Sequence, residues 1–353
     1  PYTTLFRSMN LAHHSARPPS MMDVAAAAGV SHQTVSRVLN ASGKVAPDTR
    51  QRVLDAIEQL GYRRNSVARA LVTRRSGTLG LITTTSTHYG PTSMLVSIEL
   101  AASRAGYFIA VAPIDSCTPD TLGDAIDHML GLAVEGIVIL APIEDIAEDL
   151  GTIRVSVPVV AVTSASTAES LGVVPVAVDQ YEGARLAVEH LVSHGHTAIT
   201  HLAGPSDWFE AQGREKAYRD VMARHGLTPC VYSTRGWEAS VGFEVGTAIA
   251  NGTLPTAIFA ANDPLALGLI NAFTSAGITV PGDVSVVGFD DEPGARYFMP
   301  PLTTVRQDFR GLGEAVVTVM MHALEGRAPD APTLLTPELV VRASTAALPL
   351  SAH

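Results

Sequence analysis

From Ser76 onward, short unbroken apolar runs alternate with longer stretches of helical periodicity. No other feature constrains the chain as much, because a strand without polar alternation must be buried on both faces. The strand candidates are Thr78–Thr83, Tyr107–Ala112, Gly136–Leu140, Val159–Thr163, Val176–Val178, Ala198–Ala203, Ala257–Ala260, Val284–Gly288 and Leu339–Arg342. Between them Gly183–Ser193, Glu215–His225, Pro264–Ala276 and Gly311–Leu324 repeat apolar residues at helical spacing. Strands separated by helices imply parallel sheets with helices on both faces. About 270 residues of this pattern favour two doubly wound lobes over one.

The residues before Ser76 are of another kind. From Arg17 to Arg75, ten Arg/Lys stand against four Asp/Glu; from Ser76 to His353, 13 basic residues face 30 acidic ones. A net charge of −10 argues weakly against a nucleic-acid partner, but this distribution concentrates phosphate-seeking charge in one small head. The opening Pro1–Pro19 lacks a secretory apolar region and does not begin with methionine. It is expected to be a disordered or foreign leader. No run approaches the roughly 20 apolar residues of a membrane span. Cys117 and Cys230 share no metal or redox spacing and read as buried or half-buried free thiols of a reducing cytoplasm.

Within the head, Ser20 is placed to cap a helix over Met22–Ala28, which Gly29 stops. Ser31 caps a second helix, His32–Leu39, and so short a join makes the two helices cross steeply. Val35, Val38 and Leu39 share one apolar face, so His32, Gln33, Ser36 and Arg37 point away from the core. Arg and Gln are side chains that read guanine and adenine edges. Pro47 opens a third helix along which Val53, Leu54, Ile57 and Leu60 repeat, ended by Gly61.

The strings Asp23-Val24-Ala25, Ala28-Gly29-Val30-Ser31, Thr34-Val35-Ser36-Arg37-Val38-Leu39-Asn40 and Leu60-Gly61-Tyr62 closely resemble the head of the lactose-repressor (LacI/GalR) family. The resemblance implies that His32, Gln33 and Arg37 read bases in double-stranded operator DNA, with Ser31, Thr34, Ser36 and Asn40 beside them. The family's type member has Tyr where this chain has His32, so a related but different operator is expected. Asn65–Val72 and the following Thr73-Arg74-Arg75 read on their own as a linker, since eight residues make a marginal helix. The resemblance makes them a hinge helix that folds on DNA, with Leu71 as a minor-groove wedge and Arg69, Arg74 and Arg75 near phosphates.

In the body, Thr83-Thr84-Thr85-Ser86 follows the first strand where a dinucleotide enzyme would carry a glycine-rich loop. No nucleophile elbow and no histidine pair with metal spacing is expected. The pair Asp290-Asp291 reads as a ligand acceptor plus a structural cap. No catalytic residue, cofactor or metal is anticipated.

Val188-Glu189-His190-Leu191, Leu202-Ala203-Gly204-Pro205, Ala261-Asn262-Asp263, Asp283–Asp291 and Pro300–Val305 with Gln307-Asp308-Phe309-Arg310 resemble the effector domain of the same family. The implied fold is an all-α helix-turn-helix head plus an α/β periplasmic-binding-protein-like core of two doubly wound parallel-sheet lobes. Residues 20–64 are the head, 65–76 the hinge and linker, 77–345 the effector-binding and dimerisation domain, and 346–353 a tail. The resemblance makes Arg214, Asn262 and Asp290 partners of effector hydroxyls. It makes Trp237 and Phe309 apolar walls, with Gln307, Thr84 and Thr163 at the same site. Val162-Thr163 stands where the type member has Leu-Asp, and Leu140 where it has Asn, so galactoside recognition is in doubt.

The chain stops shortly after Leu339-Val340-Val341-Arg342, without the heptad tail that makes tetramers, so a homodimer is expected. Three readings stay open: a cytoplasmic repressor of a carbohydrate operon released by a sugar inducer, a corepressor-dependent regulator with a non-sugar ligand, and a sugar-binding protein or sugar enzyme without regulatory role.

Overall fold

The structure is a computed structural model that describes residues 19–39, 43, 45–62, 75–140, 155–164, 174–327 and 333–348. Two units divide at Arg75/Ser76. Asn40, Arg69, Leu71, Arg74 and the hinge helix expected over 65–72 lie outside the described residues.

Among the described residues the head is three helices, α1 (Met21–Ala28), α2 (His32–Leu39) and α3 (Pro47–Leu60). Their ends follow local chemistry. The Ser20 hydroxyl accepts from the Asp23 N–H at 3.3 Å while the Asp23 carboxylate accepts from the Ser20 N–H at 2.7 Å, a reciprocal cap. Gly29 and Gly61 close α1 and α3 with φ of 64° and 60°, a left-handed backbone that a Cβ would strain. Ser31 Oγ accepts from the Thr34 N–H at 3.2 Å, starting α2. Val24, Val35, Val38, Val53, Ala56 and Tyr62 form the core. Each such valine contributes about 1.5–3 kcal/mol of burial. Leu54, expected on that face, is instead exposed, and Ala56 takes the inward position.

Among the described residues the body holds two six-stranded sheets. The first contains β1 (Thr78–Thr84), β2 (Phe108–Ile114), β3 (Ile137–Leu140), β4 (Val159–Ala161), β5 (Val174–Val178) and β11 (Thr333–Leu335), in the order β11-β5-β4-β3-β1-β2. All its pairings are parallel, Leu81 lying beside Val111 and Val138. Helices α4 (Tyr89–Arg104) and α10 (Phe309–Leu324) cover one face through Met94, Ile98, Leu312, Val316 and Met320. Helix α5 (Pro119–Gly131) covers the other through Leu122, Ile126 and Met129.

The second sheet contains β6 (Ile199–Ala203), β7 (Cys230–Ser233), β8 (Ala257–Ala260), β9 (Ser285–Asp290), β10 (Thr303–Arg306) and β12 (Glu338–Val340). Its order is β12-β10-β9-β8-β6-β7, with only β12 antiparallel. Helices α6 (Gln180–Ser193) and α7 (Phe209–Arg224) pack on one face, α8 (Ala239–Ala250) and α9 (Asp263–Ser275) on the other. The chain passes between lobes after β5, after β10 and after β11, which brings Gln180, Gln307 and Phe309 to the crossings.

Differences from the sequence reading have physical reasons. β7 is an edge strand with a mostly exposed pattern, so no apolar run announced it. β10 is buried although it begins Thr303-Thr304, because their hydroxyls bond Thr345 and Asp263. Cys117 is half-buried, but Cys230, on the edge strand, is exposed. His190 and His194 do stand four apart on and just beyond α6, with ring centroids 4.2 Å apart. Their nitrogens face Thr345 Oγ1 and the His190 carbonyl oxygen, and burial pushes His190 down to about 4. Among the described residues no group of three or more His, Cys, Asp and Glu is arranged for a metal, and no helix is long and apolar enough to cross a membrane.

Candidate functional site

In the head, the outward face of α2 carries exposed His32, Gln33 and Arg37 with half-buried Thr34 and Ser36, and exposed Ser31 precedes it. Val35 and Val38 anchor the opposite face completely, so the helix presents one fixed polar side. Such a face matches the shape and donor chemistry of a major groove.

In the body, a cavity of about 390 Å³ opens between the lobes at the carboxyl ends of the strands, within the size range of small-ligand sites. Arg214 on α7, Trp237 before α8, Asn262 capping α9, Asp290 ending β9 and Gln307 after β10 all line it. Five of the eight expected residues are thus brought together. Phe309 sits just behind the wall, edge-on to the cavity residue Tyr89 at 5.8 Å. Thr84 lines a smaller adjoining recess with Leu140 and Val162. Thr163 is buried outside both linings.

The cavity floor is a closed ring of polar side chains. Arg214 Nε donates to Gln180 Oε1 at 2.9 Å, and Gln180 Nε2 donates to Gln307 Oε1 at 2.9 Å. Gln307 Nε2 donates to Asp290 Oδ1 at 2.6 Å, and that oxygen lies 3.6 Å from Arg214 Nη2. Arg214 Nη1 also donates to the Ala261 carbonyl oxygen. The guanidinium lies 3.8 Å over the Phe289 ring, a cation–π contact. Arg214 therefore spends most of its fork on the protein, leaving little of it for the effector hydroxyls that the resemblance implies.

Burial pushes the Asp290 carboxyl up to about 6 against the pull of Arg214 and the Gln307 amide. Burial and the Asp290 charge push Glu292 up to about 7, and the same two causes hold Asp263 well above the usual carboxylate range. Asp263 has a positioning role, accepting from Thr304 Oγ1 and from the Glu292 N–H at 2.8 Å. Gly288 gives it room, since a Cβ there would stand 2.3 Å from Asp263 Oδ1. Asp290 and Asp291 adopt φ of 107° and 48°, a sharp turn at the strand end that aims the two carboxylates apart. Asp290 enters the cavity, and Asp291 pairs with Arg306 and Arg342.

Several lining residues escaped the sequence reading: Tyr89, Trp208, Glu210, Glu238 and Glu292. Trp208 meets Trp237 edge-on at 5.8 Å, and His88 reaches across from the first lobe to Glu238 at 3.9 Å. A tryptophan five residues after Leu202-Ala203, at the start of a helix facing the cleft, was the one available signal.

Comparison with known proteins places the parts together. The description "Bacterial regulatory proteins, lacI family" matches residues 20–65, and "Periplasmic binding protein-like domain" matches residues 188–345. The lactose operon repressor of Escherichia coli (strain K12) is 33% identical over 332 residues, covering 94% of this chain and 92% of that protein. A repressor named PurR from Photobacterium profundum is 32% identical over 339 residues, covering 92% and 98%. Among solved structures, the lac repressor dimer bound to operator and the anti-inducer ONPF superposes with a TM-score of 0.85 at 33% identity, covering 94% of this chain and 100% of that one. A transcriptional regulator CelR–cellobiose complex matches with a TM-score of 0.65 at 28% identity, covering 92% and 99%. With its helix-turn-helix head and periplasmic-binding-protein-like core, the chain belongs to the LacI family of DNA-binding bacterial transcription regulators.

Proposed function

We propose that this protein represses a carbohydrate-utilisation operon by holding a palindromic operator as a homodimer, and that a small sugar in the interlobe cavity releases it. The observation that carries this reading is a sugar-sized cavity, walled by Trp208 and Trp237 and floored by Arg214, Gln307 and Asp290, on a chain that also carries the α2 recognition face. Sugars present C–H faces to aromatic rings and hydroxyls to charged or amide groups. Solved relatives support the two halves: one is a dimer bound to operator, another a complex with cellobiose. In this reading residues 20–64 read DNA, 65–76 couple the head to the body, and 77–345 sense the effector and dimerise. A regulator of operator DNA acts where the chromosome is, in the cytoplasm.

For release, the effector must bind the DNA-free conformation more tightly than the DNA-bound one. Titrating the operator complex of the full chain with mono- and disaccharides, followed by fluorescence anisotropy of labelled DNA, tests this. Release by at least one sugar at saturable concentration is expected. The PurR relatives favour a second reading, a non-sugar corepressor. Tightening of the complex by a purine, with no sugar effective, would establish that alternative.

A further inference from the structure

The cavity wall is unevenly charged. Among the described residues four carboxylates line it, Glu210, Glu238, Asp290 and Glu292, against one guanidinium, Arg214, and one imidazole, His88. The donors that could greet an anionic ligand are largely engaged by the protein. Arg214 faces Gln180, the Ala261 carbonyl oxygen and Asp290. Asn262 Nδ2 donates to the Trp237 carbonyl oxygen at 3.1 Å while its Oδ1 caps α9. Gln307 Nε2 is held by Asp290.

Acceptors are in surplus. An ionised carboxylate offers about four lone-pair sites, and Asp290 has one hydrogen bond, from Gln307, and one ion-pair partner. Glu292 is half-buried beside it, its starting point fixed by the bond from its own N–H to Asp263. The raised values of Asp290, about 6, and Glu292, about 7, express the same thing: burial of both carboxyls, and for Glu292 the neighbouring Asp290 charge, make this wall resist its own negative charge. A ligand phosphate or carboxylate would add to that repulsion in a partly desolvated space, whereas a ligand cation would relieve it.

The wall also points to a ring-shaped ligand, independently of its charge. Trp208 and Trp237 stand edge to face, offering an aromatic surface to ring C–H groups or a cation. Trp237 is buried, and its indole N–H has no hydrogen-bond partner among the described residues.

We propose that the effector is an amino sugar, a polyhydroxylated ring bearing a protonated amine, and that Asp290 and Glu292 hold its ammonium group. This rests on the sugar-effector reading above and narrows it. Glu292 is the specificity-determining residue, because Asp290 is already partnered by Arg214 and Glu292 is not paired with any cation among the described residues.

Both tryptophans of the chain line the cavity, so intrinsic fluorescence reads occupancy directly. The experiment titrates the full chain with glucosamine, galactosamine and mannosamine, each beside its neutral parent, its N-acetyl derivative and the parent's 6-phosphate. At least one amine is expected to bind about tenfold more tightly than its neutral parent, as one charged hydrogen bond in a dry site supplies. Its N-acetyl derivative should lose that advantage, and the phosphates should not bind. Glu292→Gln should remove about tenfold of the amine-over-neutral ratio, while Glu244→Gln, exposed on α8, should leave the ratio as it is. Neutral parents binding as tightly as amines, binding of a phosphate, or no response to any amine would overturn the proposal, and the wild-type panel decides this even if Glu292→Gln fails to fold. Operator release is measured separately: amines that bind without releasing operator would sink the inducer reading and leave the cavity's specificity standing.

Discussion

Replacing Arg214 by methionine keeps an unbranched apolar stem, shorter than the arginine, and deletes the charge, and so tests how the cavity floor is held. The Arg214 and Asp290 side chains are 4% and 9% exposed, so water screens neither. With Asp290 at about 6, its ionised form at pH 7 is favoured over the neutral one by about 1.4 kcal/mol, the value of one pH unit. Deprived of its partner, the carboxyl takes a proton, and that 1.4 kcal/mol, roughly, is forgone. Gln180 Oε1 and the Ala261 carbonyl oxygen lose their donor as well, each buried acceptor costing about 1 kcal/mol or more. The expected loss is about 3–4 kcal/mol at pH 7.

The loss has a definite pH dependence. A carboxyl raised above its unfolded pKa stabilises the fold below the unfolded value, and that contribution is lost as pH climbs through the folded value. In the wild type the loss from Asp290 is complete a little above 6. Without Arg214 the folded value rises further, so the variant keeps losing stability at pH values where the wild type no longer does. The deficit should therefore be about 2 kcal/mol larger at pH 8 than at pH 5. Urea unfolding of both proteins at the two pH values, followed by circular dichroism, measures it. Equal deficits would refute the view that charge pairing ties α7 to the end of β9, and would leave packing as the whole effect.

Two further outcomes are expected. Arg37→Ala should weaken operator binding by about 1–3 kcal/mol and relax preference at one base position; an unchanged ratio of operator to scrambled-duplex binding would remove Arg37 from the base-reading set. Gly204→Ala would place a Cβ 2.2 Å from the Trp237 ring, so the indole must move, shifting tryptophan emission and weakening effector binding about tenfold or more; emission and affinity identical to the wild type would show that the Trp237 position does not matter.

What the sequence determined by itself was whatever depends on neighbours a few positions apart. Ser20 with Asp23, Ser31 with Thr34, Pro47 and the left-handed Gly29 and Gly61 are caps whose partners lie within one helical turn, so the head could be drawn from the string alone. Buried strands such as β3 and β8 were equally legible, because apolar residues throughout mark a strand covered on both faces, whereas β10, buried behind bonded threonine hydroxyls, was not. Edge strands carry no such obligation, and β7 stayed silent although the edge strands β2 and β12 were read. Matched motifs singled out Arg214, Asn262 and Asp290, which line the cavity, but not what these side chains bond to. That was decided only by tertiary structure, since the ring joining Gln180, Arg214, Asp290 and Gln307 closes across sequence separations of up to 127 residues. The same folding carried Thr163 out of the cavity lining and brought in Glu292, Tyr89 and Trp208. A cap is a local bond that one turn of helix can satisfy; a cavity wall is assembled where three chain crossings meet, and its charge is the sum of residues that no short window contains.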